Sequence, residues 1–219
     1  MGSTETETRE AGLTDSDIVL MFAIDFAEEQ EDGYEAPCSG TPVKLSALVR
    51  EMLTTAFVSL ASKQMIELSN GKKKHLFSEH RTAFVAANGG SPAPPAGLEG
   101  AILKHLRPKA AENSVRDVVS RIVGSTTIEP YSAIIEMAMD NAARAGYFEE
   151  QARTGTAAFL GRKTLPRLFL PRCERIATLT PRVGAIKRMR DTFRNDHGEL
   201  YEVLYEDIEK SVRAAYFRT

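Results

Sequence analysis

The sequence has few of the residues that usually build a metal or redox site. Its 219 residues include two cysteines, Cys38 and Cys173, which are far apart and form no Cys-x-x-Cys pair. This spacing argues against a zinc site and against a disulfide framework. We therefore expect both cysteines to be reduced and no metal to be bound. The four histidines include no His-x-x-x-His pair, which excludes zincin-type chemistry.

Motifs for catalysis are also missing. No Gly-x-Ser-x-Gly elbow occurs. Residues 155–164 (GTAAFLGRKT) partly resemble a phosphate-binding P-loop, but five residues separate the glycines and an arginine precedes the lysine, whereas the motif has about four residues there. Adjacent acids such as Glu149 and Glu150 are typical of a solvated surface rather than of acid–base catalysis. The sequence predicts that the protein is not an enzyme and uses no cofactor.

No long hydrophobic run is present. The apolar stretch Ile18–Ile24 ends at Asp25 and is far too short for the roughly 20 residues of a membrane-spanning helix. The residues before it are acidic, whereas a signal peptide begins with positive charge. A content of 42% hydrophobic residues and a mean hydropathy of −0.25 are typical of a soluble globular protein. The expected localisation is cytoplasmic, with peripheral attachment to a membrane.

The net charge of −2 combines two segments of opposite charge. Residues 1–36 contain eleven acidic residues and one basic residue, a local balance of −10. Residues 160–194 contain ten basic and two acidic residues, a local balance of +8. The basic segment is expected either to form a surface that attracts anions, or to be solvated and neutralised by the acidic segment within the fold.

The first half of the chain predicts two helices and a hairpin. Thr14 and Asp17 form a capping box that opens a helix to about Gln30, followed by a loop over residues 31–42. From Leu45 onward, apolar side chains recur at helical spacing and predict a long helix that ends near residue 64.

A hairpin is expected directly after this long helix. Residues 65–68 alternate like a strand, Asn70 and Gly71 are typical of a type I′ turn, and residues 75–77 supply the returning strand. A helix followed by a strand, a wing and a second strand is typical of a winged-helix unit.

The second half of the chain repeats this plan after a Gly/Pro-rich linker. Helices are predicted at 98–107, 114–124, 130–146, 181–194 and 198–217, and strands at 147–148 and 157–160 with a turn at 161–163. The predicted fold class is mainly α with short β-hairpins, in a tandem winged-helix-like architecture within a compact helical domain. The predicted organisation is a disordered acidic tail (1–12), a first winged-helix-like subdomain (13–87), the linker (88–97), a second such subdomain (98–176) and C-terminal helices (177–219).

Two basic clusters are the candidate site for a lipid headgroup or another phosphate. The first contains Lys72, Lys73, Lys74 and His75, and the second contains Arg162, Lys163, Arg167, Arg172 and Arg175. The second cluster is interleaved with Phe159, Leu160, Leu165, Leu168, Phe169 and Leu170. Basic residues beside apolar ones suit an anionic membrane surface, and basic wings suit DNA phosphates equally well. Alternatively, the apolar side chains belong to a strand core and the arginines point to water.

The order of these segments resembles the Golgi phosphoprotein 3 family of phosphatidylinositol 4-phosphate-binding adaptors. The segments that carry the resemblance are Ile18–Met21, Leu53–Leu68, Lys72–Leu76, Gly100–Leu106, Val115–Gly124 and Ala138–Phe148. The same layout is also similar to the cytosolic winged-helix region of some bacterial membrane proteins.

The family's headgroup site does not carry over to this chain. The family uses a tryptophan there, and this sequence contains none. Leu53 and residues 135–137 stand where the family has arginines. Any anionic lipid would therefore bind in another geometry, through the two basic clusters.

The sequence predicts a non-catalytic binding or adaptor protein that attaches to anionic, phosphoinositide-type membrane surfaces through basic wings. The first alternative is a winged-helix DNA-binding transcriptional regulator, although the helix from Leu45 offers few side chains for base readout beyond Arg50, Lys63 and Gln64. The second alternative is a protein-interaction or oligomerisation module, in which an apolar strand pairs with another protein or another copy of the chain.

Overall fold

Helices form most of the molecule, and short antiparallel two-stranded sheets lie between them. This computed structural model describes residues 12–75, 78–89, 95–124, 129–151 and 168–216, with only the backbone at 74, 75, 78, 215 and 216. The mainly helical class with short hairpins is therefore confirmed. Residues 1–11 of the predicted N-terminal tail and residues 90–94 of the Gly/Pro linker lie outside the described residues, as do the predicted strand and turn at 157–163.

The first helix is much shorter than predicted. Helix α1 (Asp15–Met21) begins with the expected capping box at Thr14, but only a 3-10 turn follows it at residues 23–25. Strand β1 (Glu29–Glu35) then pairs with strand β2 (Pro42–Val43), where the sequence predicted the end of a helix and a loop. The acidic residues after Phe26 supply no apolar face that a longer helix could bury.

Helix α2 (Leu45–Ser62) confirms the predicted apolar stripe and ends two residues before its predicted end. The antiparallel strands β3 (Ile66–His75) and β4 (Ser78–Ala87) follow it. The predicted turn at Asn70 and Gly71 is wrong, because these residues pair with Ala83 and Thr82 within the ladder.

Packing across the hairpin explains why the Asn-Gly pair does not form the turn. The ring of Phe84 covers Gly71 so closely that a Cβ atom there would lie 2.5 Å from the ring. Glycine thus allows an aromatic side chain to lie across the strand, as aromatic residues do over glycines in other sheets. The ladder continues well past Asn70 and Gly71, to the pair of His75 and Ser78.

The second half of the chain follows its predicted order closely. Its elements are α3 (Gly97–Lys104), α4 (Val115–Gly124), α5 (Pro130–Arg144), β5 (Phe148–Gln151), β6 (Leu168–Pro171), α6 (Cys173–Ala177), α7 (Thr180–Asp196) and α8 (Gly198–Tyr216). Strands β5 and β6 form an antiparallel hairpin. Pro130 occupies the first turn of α5, and Gly146 adopts a positive φ of 83° after its end, both as predicted. The short helix α6 was not predicted.

One continuous hydrophobic core connects the two halves. It runs from Leu13 to Val212 and includes α2, which is buried along most of its length. By length and composition α2 also passes as a membrane-spanning helix, but 72% of it is buried inside the protein, as is usual for a core helix. The boundaries of the two predicted subdomains stay a prediction.

The two cysteines form a disulfide bond, so the prediction that both are reduced is wrong. Cys38 lies in the turn between β1 and β2, and Cys173 is the first residue of α6. Their Cα atoms are 5.4 Å apart although 135 residues separate them in sequence. The fold brings together two segments whose proximity the spacing of cysteines in the sequence could not reveal.

Removing this cross-link is expected to destabilise the protein. In the chain-entropy account, a disulfide that closes a loop longer than about 100 residues contributes about 2–5 kcal/mol by restricting the unfolded chain. The variant Cys38→Ser should lower the free energy of unfolding by that amount in urea titrations without reductant. Ser39→Ala, in the same turn, serves as the control, because it removes only an exposed hydrogen bond of 3.2 Å from the backbone N–H of Thr41 and should lower the free energy of unfolding by no more than about 1 kcal/mol. Equal unfolding midpoints for Cys38→Ser and the oxidised wild type would contradict this expectation.

Candidate functional site

The lysines of the first basic cluster are ion-paired on strand β3. Lys72 Nζ lies 3.2 Å from a carboxylate oxygen of Glu79, and Lys73 Nζ lies 2.5 Å from one of Asp117. Burial opposes ionisation of Asp117, but the hydrogen bonds from Lys73 and Ser114 outweigh it and lower the pKa of this carboxyl group. The first cluster therefore presents paired charges. The side chains of its other two members, Lys74 and His75, lie outside the described residues.

The second basic cluster is only partly described. Arg162, Lys163 and Arg167 lie outside the described residues. Arg172 forms an exposed ion pair of 3.4 Å with Glu149, and the guanidinium of Arg175 stacks over the ring of Tyr147 at 4.6 Å. The structure thus places Arg172 and Arg175 beside the β5–β6 hairpin, whereas Lys72 and Lys73 lie on the β3–β4 hairpin.

The acidic segment (residues 1–36) and the basic segment (residues 160–194) neutralise each other in part. Arg182 pairs with Asp15 at 3.0 Å, and Lys187 pairs with Asp25 at 2.9 Å. Arg190 forms a close ion pair with Glu51 on α2. The first two of these contacts match the alternative in which the two charged segments compensate one another. The bases of α7 consequently contribute less to any anion-attracting surface than their number suggests.

The β5–β6 hairpin exposes apolar side chains. Leu168 and Leu170 on β6 are 37% and 40% exposed, and Ile24 is the other large hydrophobic residue in the described part of the chain with comparable exposure. Phe169 lies between the two leucines in sequence and packs against the core. This alternation is the pattern of a half-buried strand with an apolar outer face. Leu168 and Leu170 together are named the leucine pair below.

A second feature is a cationic pocket beside the N-terminus of α2, which the sequence did not reveal. Its volume is about 370 Å³. Its lining includes three basic residues and one acidic residue, and consists of Lys44, Ser46, Ala47, Arg50, Tyr131, Glu209, Val212 and Arg213. These residues come from α2, α5 and α8, so no local motif in the sequence could have indicated the pocket.

The charges around this pocket are partly compensated. Arg50 lies 3.2 Å from Glu209 and stacks over the ring of Tyr205 at 4.4 Å, and Lys44 pairs with Glu28 at 2.7 Å. The N-cap residue of α2 is Lys44, whose side chain forms no capping hydrogen bond. The positive end of the α2 dipole therefore adds to the charge of the basic side chains at the pocket.

Two carboxyl groups are sealed in the interior between α1, α3 and α5. Asp17 and Glu99 are 0% and 1% exposed. Asp17 Oδ2 accepts hydrogen bonds from the backbone and hydroxyl of Thr14, both at 2.8 Å, and from Asn141 at 2.6 Å. Glu99 accepts from the backbone N–H of Ser16 at 3.0 Å and from its hydroxyl at 2.6 Å. These contacts fix the positions of three helices.

Burial determines the protonation of this pair. Burial, with a smaller contribution from the charge of Glu99, raises the pKa of Asp17 to about 7. Burial also raises the pKa of Glu99. Asp17 Oδ1 has no hydrogen-bond partner within the part of the chain that the structure describes, so it can carry a proton without loss of the bonds to Oδ2. Perturbed pKa values often mark functional sites, but these two groups lie away from the pocket and the leucine pair.

The raised pKa of Asp17 predicts a pH-dependent stability. The folded state binds the proton of Asp17 more tightly than the unfolded state does. Protonation of Asp17 therefore stabilises the fold fully below the unfolded pKa of about 4, and this stabilisation is lost as the pH rises through about 7. The free energy of unfolding should fall by up to about 1.4 kcal/mol per pH unit in that window. Urea titrations from pH 5 to pH 8 measure this slope. Asp17→Asn should make the slope shallower while the contribution of Glu99 remains, whereas the control Asp15→Asn should lower stability without making the slope shallower. An unchanged slope in Asp17→Asn would contradict the assignment.

Comparison with known proteins gave no match to any family model, curated protein or solved structure. The resemblance to the Golgi phosphoprotein 3 family therefore depends on the sequence segments quoted above.

Proposed function

We propose that this protein is a non-catalytic adaptor that attaches reversibly to anionic membrane surfaces through the β5–β6 hairpin. The observation that carries the proposal is the leucine pair, which is exposed on a strand whose intervening residue, Phe169, is turned inward. Arg172 is the residue directly after β6. Three basic residues of the predicted site, Arg162, Lys163 and Arg167, precede the leucine pair in sequence. Apolar side chains flanked by cations match the interfacial region of a bilayer with acidic headgroups.

The expected strength of attachment is modest. Burying the exposed part of each leucine contributes on the order of 1 kcal/mol. Each basic residue near an anionic surface adds about 1 kcal/mol. Glu149 faces the same surface as Leu170, but its ion pair with Arg172 reduces its repulsion of acidic lipids. The sum corresponds to reversible attachment.

The pocket at the N-terminus of α2 is the proposed headgroup site. A phosphorylated inositol is a compact polyanion, and a cavity of about 370 Å³ with Lys44, Arg50 and Arg213 in its lining offers it several cations. The helix N-terminus supplies additional positive potential. A phosphate group would compete with Glu28 and Glu209 for these cations, which favours lipids that carry more than one negative charge. This geometry differs from the basic wings predicted from the sequence.

The tandem winged-helix-like architecture belongs to the same proposal. Each half of the chain contains a long helix followed by an antiparallel hairpin, α2 with β3–β4 and α5 with β5–β6. In this arrangement the second wing faces the membrane. The first wing is held against α4 by the ion pair of Lys73 with Asp117.

Burial of α2 counts against the DNA-binding alternative. A recognition helix must enter the major groove with one face, and α2 is buried along most of its length. A DNA-binding regulator would have to read bases with another element. The oligomerisation alternative uses the same leucine pair, since an exposed apolar strand can also pair with another copy of the chain. Light scattering at several concentrations distinguishes that alternative from membrane attachment.

Replacement of the leucine pair tests the proposed membrane contact. The double variant Leu168→Ser/Leu170→Ser should reduce the affinity for phosphatidylserine vesicles, measured by flotation, by about thirtyfold, since about 2 kcal/mol of apolar burial is lost. Ile24→Ser is the control, because Ile24 is somewhat more exposed than either leucine but lies in the 3-10 turn after α1. Equal loss in both variants, or no loss in the double variant, would contradict a contact through the hairpin.

Neutralising a pocket lysine tests the proposed headgroup site. Lys44→Gln should reduce the preference for phosphatidylinositol 4-phosphate over charge-matched phosphatidylserine severalfold, because it removes a cation from the pocket lining. Lys72→Gln is the control, since Lys72 is an exposed, ion-paired lysine on the other hairpin. Flotation with neutral, phosphatidylserine and phosphoinositide vesicles is measured at low and physiological salt. The pocket is excluded as the headgroup site if Lys72→Gln lowers the preference and Lys44→Gln does not.

A further inference from the structure

The disulfide lies at the junction between the β5–β6 hairpin and the turn after β1. Cys173 comes two residues after the end of β6, and Cys38 occupies the turn closed by the hydrogen bonds of Ala36 with Gly40 and Thr41. Both cysteines are exposed. The chain contains no other cysteine, so this is the one covalent cross-link available to it.

The contacts of the hairpin show what the cross-link adds. Phe148 is buried in the core, and the backbone N–H of Arg172 donates to the carbonyl of Tyr147 at 2.9 Å. The Arg172–Glu149 ion pair joins the two strands to each other. The hydrogen bond and the ion pair lie within the hairpin and the end of its own helix, and Phe148 packs in the core, whereas the disulfide joins the end of β6 covalently to a segment 135 residues earlier in the chain.

The backbone of Cys38 shows that the turn is constrained, by the cross-link together with the two hydrogen bonds that close it. Cys38 has a φ of 65°, in the left-handed region that residues other than glycine rarely adopt. Such a conformation persists where the surrounding structure enforces it. Breaking the disulfide would leave these two hydrogen bonds to hold the turn.

We infer that the Cys38–Cys173 disulfide is a thiol-reducible clasp that fixes the position of the β5–β6 hairpin and thereby controls its attachment to a surface. The clasp itself follows from the cross-link and the turn, and its effect on attachment rests on the proposed membrane function. The reductant is a small thiol of the glutathione class. Preorganisation strengthens binding because less conformational freedom is lost on association, so the oxidised form is the one that attaches more tightly.

The chemistry of release is ordinary thiol–disulfide exchange. A glutathione thiolate attacks one sulfur of the pair, the S–S bond breaks, and the other cysteine leaves as a thiolate that takes up a proton. A second glutathione thiolate attacks the mixed disulfide and displaces the first cysteine, which is protonated in turn. The two glutathione molecules leave as their disulfide, having supplied two electrons. Exposure of both cysteines allows the attack, since exchange requires access to sulfur.

The first test measures the clasp itself. The full-length protein is equilibrated in glutathione buffers of defined potential, and its free thiols are alkylated and counted by mass spectrometry. Hydrogen exchange is then compared between oxidised and reduced wild type, so that the readout does not depend on a variant that fails to fold. Amides in residues 36–43 and 168–173 should exchange at least about tenfold faster after reduction, at exchange times short enough that the amides of the core helix α2, which open only with global unfolding, are still protected in both forms. Two free thiols in oxidised glutathione, or unchanged exchange in both segments, would overturn the inference.

The second test connects the clasp to attachment. Reduced wild type and Cys38→Ser should both float severalfold less with phosphatidylserine vesicles than oxidised wild type, and Ser39→Ala should behave like oxidised wild type. Equal flotation of the oxidised and reduced forms would overturn control of attachment by the clasp. If neither form floats while exchange in the two segments still differs, the proposed membrane function fails and the reducible clasp is supported by itself.

Discussion

The burial of α2 is the constraint on which the rest of the structure depends. Its apolar stripe fills the centre of the core, and the elements around it come from both halves of the chain. A helix buried in this way cannot present its faces to a ligand. Binding is therefore confined to the end of α2 and to elements that surround the core, where the pocket and the β5–β6 hairpin lie.

Features governed by local chemistry could be predicted from the sequence. Three such features depend on residues within a few positions of one another. They are the capping box at Thr14, the apolar stripe of α2, and the limits of α5 at Pro130 and Gly146. The prediction of a turn at Asn70 and Gly71 was wrong because Phe84 packs over Gly71 across the ladder. This packing outweighs the preference of Asn-Gly for a turn. Local propensity thus decides where elements begin, and packing between elements decides how far they extend.

The candidate site was harder to predict for the same reason. Arg172 and Arg175 do flank an exposed apolar strand, but Lys73 is held by Asp117, and Arg182 and Lys187 are paired with acids from the first helical segment. A count of charges along the chain cannot show which of them are compensated by distant partners. The pocket and the disulfide likewise join segments far apart in sequence, so both require the fold to be seen.

The two proposed contacts depend on different physical forces. The leucine pair contributes through apolar burial, which salt hardly weakens, whereas the cations of the pocket act through charge, which is screened within about 10 Å at moderate ionic strength. Raising the salt should therefore remove preference for a polyanionic headgroup before it removes attachment itself. Because the pocket's cations already have carboxylate partners, headgroup binding must exchange one ion pair for another. The net gain in binding free energy from such an exchange is small, so attachment to the membrane requires the β5–β6 hairpin as well. Whatever controls the position of the hairpin therefore controls attachment as a whole.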